Sequence, residues 1–135
     1  MTQKIRIKRA YEAAESADGR RILVERLWPR GVRKEALKLD AWLKDVAPST
    51  ELRQWFGHDP ERFLEFSRRY RQELREKTAA SALRELRAYA RSEPLTLIYA
   101  AKDEAHNGAV VLCDLLRRSG TRAAPEPSKA RKARS

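Results

Sequence analysis

The segment Leu95–Ala100 constrains the fold of this chain more than any other, because it is apolar on both of its faces. It reads Leu-Thr-Leu-Ile-Tyr-Ala, without the strict alternation of polar and apolar residues that marks a strand with one wet face. Such strands are typical of parallel sheets, which need a covering layer on each face. Segments of helical periodicity precede and follow it. We therefore expect an α/β fold in which a small, mostly parallel sheet is flanked by helices.

Two further strands are predicted upstream. Lys4–Ala10 carries isoleucine at alternate positions, which is the pattern of a half-buried strand. Asp18-Gly19 favours a turn, and Arg21–Trp28 is more continuously apolar, so a central strand is expected there. This strand should end at Pro29-Arg30-Gly31, because proline cannot donate a ladder hydrogen bond and glycine permits a tight bend.

The middle of the chain is expected to be helical. Leucine, tryptophan and valine recur at helical spacing from Leu37 to Val46, and Pro48 ends that run. Ser49 is a predicted N-cap for a short helix, Leu52–Phe56, that ends at Gly57. The other predicted helices are a long one capped by Asp59 and opened by Pro60, with its apolar stripe at Phe63, Phe66, Tyr70 and Leu74, then Ala79–Ser92 and Ala109–Arg118.

The 135 residues are enough for a single domain, which we assign to residues 1–119. Residues 120–135 have no apolar side chain larger than alanine, so they are expected to form a disordered basic tail. The net charge of the chain is +11, and the tail contributes five basic residues and one acidic residue. We therefore regard nucleic acid as a candidate partner of the tail.

Several classes of protein are not indicated. The N-terminus lacks the apolar run of a signal peptide and no stretch approaches the ~18 apolar residues of a membrane span, so a cytoplasmic location without membrane contact is expected. One cysteine cannot form an intramolecular disulfide. Two widely separated histidines do not make a metal motif, and no phosphate loop or dinucleotide fingerprint is present. No metal and no cofactor is therefore predicted.

Polar residues follow two of the predicted strands. Ligands of open parallel sheets bind beyond the carboxyl ends of the strands, so these side chains are expected to share one concavity. Guanidinium groups bind carboxylate or phosphate through paired hydrogen bonds, and lysine adds a point charge. The first hypothesis is a binding module for an anionic ligand, either a phosphate-bearing small molecule or nucleic-acid backbone. The candidate ligand-binding residues are Arg26, Trp28, Arg30, Lys102, Asp103, His106 and Asn107.

Other roles remain open for these residues. Arg26 and Arg30 would equally pair with nearby carboxylates and hold their loop in place. His106 or Asn107 would cap the last helix, whereas His106 oriented by Asp103 would act as a general base. The alternative function is a small hydrolase or transferase that uses Asp103 and His106, with Arg26 and Arg30 as charge stabilisers.

Three segments (residues 21–31, 47–58 and 99–107) read RILVERLWPRG, APSTELRQWFGH and YAAKDEAHN. Together they resemble the domain-of-unknown-function 488 family in its YeaO-like branch, over about residues 4 to 118. The resemblance implies a fold more than an activity, since that family has no settled biochemical function. Its broader membership often carries a Cys-His-Arg triplet after the last strand and a cysteine late in that strand. The matching positions here are Ala105-His106-Asn107 and Tyr99, so the resemblance implies no thiol chemistry.

Overall fold

The computed structural model describes residues 4–121, with side chains as far as Arg118. This part of the chain forms strands β1 (Ile5–Arg9), β2 (Arg20–Leu23), β3 (Ala41–Trp42) and β4 (Leu95–Tyr99). Its helices are α1 (Lys34–Leu37), α2 (Thr50–Phe56), α3 (Phe63–Glu73), α4 (Lys77–Ser92) and α5 (Gly108–Thr121). Short 3₁₀ turns lie at Ser16–Asp18, Lys44–Val46 and Pro60–Arg62.

The four strands form one parallel sheet in the order β1-β4-β2-β3. Strand β4 lies between β1 and β2, and Leu97 is the register partner of Ile7 on one side and Ile22 on the other. The predicted α/β class is therefore confirmed. In the described residues β4 is the last strand, so the chain leaves β2 toward β3 and leaves β4 toward α5 on the β1 side.

Helices α2 to α5 cover one face of the sheet. Alternate strand residues, among them Ile22 and Leu97, join apolar side chains of all four helices in one core. The five residues of β4 are all buried. Burial on both faces is what the apolar sequence of this strand predicts.

The opposite face is covered by α1 and by irregular segments. Leu23 and Ile98 pack there against Ala10 and Leu37, and Trp28 and Trp42 lie at the border of this smaller cluster. Part of this face is polar, so its apolar cluster is smaller than the one under the helices.

A buried ion network completes that face. Asp18, which is 1% exposed, accepts a hydrogen bond from Nη1 of Arg21 at 2.6 Å and lies 3.2 Å from Nζ of Lys8. Arg21 also donates to the carbonyl of Leu37, and the hydroxyl of Thr96 donates to the carbonyl of Asp18. Burial by itself raises the pKa of Asp18. The hydrogen bonds from the Glu15 amide, Lys8 and Arg21 together lower that pKa by more than burial raises it, so the net shift is downward.

The predicted helix from Leu37 to Val46 is wrong. Lys38 adopts a left-handed conformation (φ 49°) that ends α1, and Ala41 and Trp42 then pair with Ile22 and Leu23 of β2. The helical spacing of the apolar residues is coincidental, because Leu39 and Trp42 pack against the second face of the sheet. Pairing with β2 outweighs the local periodicity.

The second strand is shorter than predicted, since β2 ends at Leu23 instead of Trp28. The amide of Val24 still donates to the carbonyl of Ile98 at 3.1 Å. Beyond that bond, the side chains of Glu25 and Arg26 bind backbone groups of other segments. The chain therefore leaves the sheet at the edge where ligands of such folds bind.

The helix caps follow the predictions. The hydroxyl of Ser49 accepts from the amide of Leu52, and Gly57 ends α2 with φ 56°. Asp59 accepts from the amide of Glu61 at the start of the turn that leads into α3. These bonds satisfy backbone groups that the ends of a helix leave unpaired.

Helix α5 runs to Thr121, past the predicted end at Arg118. The tail predicted for residues 120–135 lies, beyond Thr121, outside the described residues. Within residues 4–121, no helix is long and apolar enough to cross a membrane.

Candidate ligand-binding site

Strands β2 and β4 are neighbours, so their carboxyl ends lie side by side at one edge of the sheet. The chain leaves β2 toward β3 and β4 toward α5, and open α/β sheets bind ligands beyond the carboxyl ends of their strands. A cavity of about 500 Å³ opens at this edge. Its lining comes from the ends of both strands, from α2 and α3 and from the start of α5.

The cavity has apolar walls and a few polar groups. The walls include Val24, Leu27, Pro48, Phe56, Phe66, Ala100 and Ala101. The polar side chains are Glu25, Thr50, Arg53, Gln54, His58 and Asn107. A concave, largely apolar space with a small set of convergent polar groups is the usual form of a small-molecule site.

Glu25 is the acidic group of this cavity. Its Oε2 accepts a hydrogen bond from the amide of Ala100 at 3.0 Å, and its backbone carbonyl accepts from the indole of Trp42 at 2.6 Å. Burial raises the pKa of the Glu25 carboxyl, although the Ala100 amide and the charges of Arg53 and His58 act in the opposite direction. A carboxyl held in this way takes up a proton more readily than an exposed glutamate.

Arg53 and His58 bring a guanidinium and an imidazole to the cavity. Both side chains are exposed at its lining. Arg53 lies on α2, which Ser49 and Gly57 delimit, and His58 follows directly with φ 60°. The turn around His58 thus uses two successive left-handed residues, Gly57 and His58.

The segment after β4 is a helix-capping loop. Oδ1 of Asp103 accepts from the amides of Ala105 and His106 at 2.9 Å and 3.0 Å, and the side-chain oxygen of Asn107 accepts from the amide of Val110 at 3.0 Å. The hydrogen bond from Ala105 is the largest influence that lowers the pKa of Asp103, and the ring and amide of His106 act in the same direction. The predicted capping role of Asn107 is confirmed.

His106 is oriented by Asp103, as the general-base hypothesis requires. Its Nδ1 lies 3.0 Å from Oδ2 of Asp103, and its ring meets the edge of Phe63 with centroids 5.1 Å apart. Its side chain is absent from the lining of the β2/β4 cavity. The pair therefore exists but lies outside the cavity.

The side chains of Arg26 and Trp28 donate hydrogen bonds to backbone carbonyls. Arg26 donates to the carbonyls of Pro48 at 2.9 Å and Ala47 at 3.2 Å. Trp28 donates to the carbonyl of Val32 at 2.7 Å and packs on the face of the sheet opposite α2 to α5. These contacts hold the loop after β2 and leave neither side chain in the cavity.

Arg30 and Lys102 are exposed. The carbonyl of Arg30 accepts a hydrogen bond from the hydroxyl of Tyr11 at 3.0 Å. Within residues 4–118, neither cationic side chain forms a hydrogen bond or an ion pair. Of the seven predicted site residues, Asn107 is the member that lines the cavity.

The sequence reasoning missed three ionisable side chains of the cavity, Glu25, Arg53 and His58. Glu25 carried a signal, because it is an acidic residue inside an apolar run near the end of a central strand. Arg53 and His58 carried none, since their segment reaches the edge of the sheet only through the packing of α2. Among the described residues, no group of three or more His, Cys, Asp and Glu side chains could hold a metal ion.

The positions matching the cysteine-containing motifs of the broader family hold Ala105-His106-Asn107 and Tyr99. Tyr99 and Asn107 are buried. Burial raises the pKa of the Tyr99 hydroxyl. Asn107 caps the start of α5, and none of these positions holds a cysteine.

Comparisons with known proteins give uncharacterised relatives. The model of a family described as the inactive DUF488-N3 subclade matches residues 4–133. Uncharacterized protein YeaO of Escherichia coli (strain K12) is 45% identical over 113 residues, which cover 84% of this chain and 96% of that protein. Uncharacterized protein Rv3073c of Mycobacterium tuberculosis (strain ATCC 25618 / H37Rv) is 44% identical over 113 residues, covering 84% and 93%. No solved structure gives a significant match.

Proposed function

This chain belongs to the DUF488 (domain of unknown function 488) family, and on that premise we propose that it binds a small organic anion in the β2/β4 cavity without converting it. The observation that carries the proposal is the half-buried carboxyl of Glu25, which lines the same cavity as the guanidinium of Arg53 and the imidazole of His58. The description of the matching subclade as inactive favours binding over turnover.

The chemistry of the cavity indicates how the ligand is held. Its anionic group, a carboxylate or a phosphate, binds Arg53 and His58, because charge-assisted hydrogen bonds to an anion are the strong ones. Its body packs on the apolar wall formed by residues such as Phe56 and Val24. A volume of about 500 Å³ suits a molecule of metabolite size.

Glu25 couples binding to a proton. An anion placed beside this carboxyl further disfavours the ionised form, so the ligand and a proton bind together. Affinity for the anion should therefore rise as the pH falls through the raised pKa of Glu25. A protonated Glu25 would also donate a hydrogen bond to the ligand.

A titration tests the proposal. Inorganic phosphate, citrate and small aromatic carboxylates are added to the full chain, with binding followed by calorimetry in two buffers of different ionisation enthalpy. We expect net proton uptake on binding, its loss in Glu25→Gln, and about tenfold weaker binding in Arg53→Gln. Arg75→Gln is the matched control, since Arg75 is exposed and lies outside the cavity.

Equal affinity of Arg53→Gln and Arg75→Gln would contradict the proposal, as would the absence of binding by any of these anions. Arg30→Gln tests the arrangement that the sequence predicted. A loss of binding in that variant alone would move the anion site to Arg30 and Lys102.

The hydrolase or transferase alternative draws little support from the geometry. Asp103 is engaged in the capping loop, and Arg26 binds two backbone carbonyls. Nucleic-acid binding through the tail stays a prediction, because residues 122–135 lie outside the described part of the chain. A cytoplasmic location is consistent with the single cysteine and likewise stays a prediction.

A further inference from the structure

A second concave surface lies between the edge strand β1 and helices α3 and α5. This groove has a volume of about 530 Å³. Its floor is apolar and comes from Ile7, Phe63, Val110 and Val111. It shares none of its lining residues with the β2/β4 cavity.

The rim of the groove is basic. Lys4, Arg6, Arg71 and Arg117 line it, and Asp114 is the acidic side chain among the lining residues. Asp114 is shared, because Nη2 of Arg71 lies 3.2 Å and Nε of Arg118 lies 3.1 Å from its Oδ2. Arg6 and Arg117 donate to the neutral carbonyls of Ala17 and Ile5. Positive charge on the rim is therefore not neutralised by the carboxylate that lines it.

Three other cavities on the described part of the chain carry nearly equal numbers of acidic and basic side chains. The β2/β4 cavity sets Glu25 against Arg53. The two cavities on either side of Trp42 are lined by equal numbers of lysines and acidic residues, namely Lys44, Lys77, Asp45 and Glu85 in one and Lys34, Lys38, Glu35 and Asp40 in the other. A strong excess of cations is thus a property of the β1 groove and not of every concave surface on this basic chain.

We propose that the β1 groove is a docking surface for a short acidic segment of a partner protein that carries apolar side chains. Charge complementarity selects this occupant, since acidic side chains satisfy the rim while apolar ones fill the floor. The tail of this chain and the groove of a second copy are both basic, so each would be repelled.

The free edge of β1 limits how such a segment binds. Residues at alternate positions of β1 face away from β4. Of these, the carbonyl of Ile5 already accepts from Arg117, and the amide and carbonyl of Arg9 are both bonded to Glu12. Ile7 lines the groove and retains an amide and a carbonyl that no described residue bonds. The partner therefore forms at most one backbone rung, at Ile7, and cannot extend the sheet.

A nucleic acid fits this surface less well. Phosphates would pair with the rim, but bases need an exposed aromatic face on which to stack. The single aromatic side chain of the floor, Phe63, is partly buried and packs against Phe56, Phe66 and His106. A nucleic acid bound through its phosphates would therefore leave the apolar floor of the groove uncovered.

The test uses the full chain and a fluorescent synthetic peptide of ten residues with glutamate alternating with valine or leucine. We expect saturable binding by anisotropy and chemical-shift changes at the amides of Ile7, Val110 and Val111. Arg71→Glu should weaken binding about tenfold, whereas the same charge change at exposed Arg84 should alter it less than about twofold. A peptide with serine in place of the apolar residues should bind weakly, because it leaves the floor unfilled.

Three kinds of result would overturn the proposal. One is equal weakening by Arg71→Glu and Arg84→Glu, which would indicate attraction by net charge alone. Another is the absence of binding, or shift changes that avoid Ile7. The third is tighter binding of a single-stranded oligothymidylate of the same charge to the same amides, which would assign the groove to nucleic acid.

Discussion

Oε2 of Glu25 accepts a hydrogen bond from the amide of Ala100, with 3.0 Å between the oxygen and the nitrogen. This bond lies at the position where the ladder between β2 and β4 would otherwise continue. The preceding bond in that ladder runs from the amide of Val24 to the carbonyl of Ile98. The Glu25 carboxylate thus takes the place of the backbone carbonyl that would accept the next ladder bond. The backbone therefore departs from the sheet after Leu23. The same contact places a carboxyl at the floor of the β2/β4 cavity.

Replacing Glu25 with glutamine should increase stability at neutral pH. The pKa of Glu25 in the fold lies above its ordinary value of about 4.5, so its favourable contribution is complete below that pH and is lost as the pH rises through the folded-state pKa. Urea unfolding of both proteins between pH 4 and 8 should show a gap that favours Glu25→Gln and widens with pH. A gap independent of pH would contradict the burial of this carboxyl.

Glu65→Gln is the control of opposite sign. Arg68 and Arg69 lower the pKa of Glu65 to about 2, so its contribution is present above about 4.5 and lost as the pH falls through the folded value. The wild type should therefore be the more stable protein at pH 7, by a small margin that salt reduces further.

Asp18→Asn should destabilise the fold by about 3–5 kcal/mol at pH 7, because it leaves Arg21 buried without its carboxylate, whereas Lys8 keeps its ion pair with Glu15. Asp114→Asn, which removes an exposed partner of Arg71, should cost less than about 1 kcal/mol. The two unfolding free energies are measured in urea. The pKa of Asp18 is lowered from about 3.8, so the stability gap should be complete above that pH and should narrow as the pH falls through the folded-state pKa.

Two glycines with positive φ should respond differently to alanine. At Gly31 (φ 77°) a Cβ meets nothing within 4 Å, so the cost is the backbone strain of about 1 kcal/mol. At Gly19 (φ 65°) a Cβ would lie 2.2 Å from the carbonyl oxygen of Pro94, which accepts the amide of Arg20. Gly19→Ala should therefore cost at least about 2 kcal/mol more in urea unfolding. Equal costs would mean that Pro94 moves freely.

Arg26→Ala and Arg30→Ala separate a structural arginine from an exposed one. The first removes the bonds to the carbonyls of Pro48 and Ala47 and should cost about 1.5–3 kcal/mol. The second should change stability by less than about 0.5 kcal/mol. Thermal melts with and without phosphate complete the test, since a phosphate shift abolished by Arg30→Ala would support an anion site at that residue.

Deleting residues 122–135 should leave the melting temperature within a few degrees of that of the full chain. The buried apolar residues of the described part lie between Ile5 and Leu116, and the deletion lowers the net charge by four. A large fall in the melting temperature would show that this segment docks on the domain.

The sequence predicts most of the elements because they are marked locally. Ser49 and Gly57 bound α2 through a cap bond and a left-handed residue, which depend on the residues themselves. Leu95–Tyr99 is recognisable because burial on both faces excludes polar residues. Strand β3 is not recognisable, since two residues carry no periodicity and Ala41 and Trp42 become a strand only beside β2.

The sequence by itself determined that β4 is buried on both faces and that Ser49 caps a helix, and it narrowed the cap of α5 to His106 or Asn107. Tertiary structure alone decided which side chains reach the β2/β4 cavity. Arg26 binds the carbonyls of Ala47 and Pro48, whereas Arg53 arrives from a helix far along the chain. The reason is physical: a cap or a buried strand is specified by neighbouring residues, but the side chains that meet in a cavity are specified by the packing of whole elements.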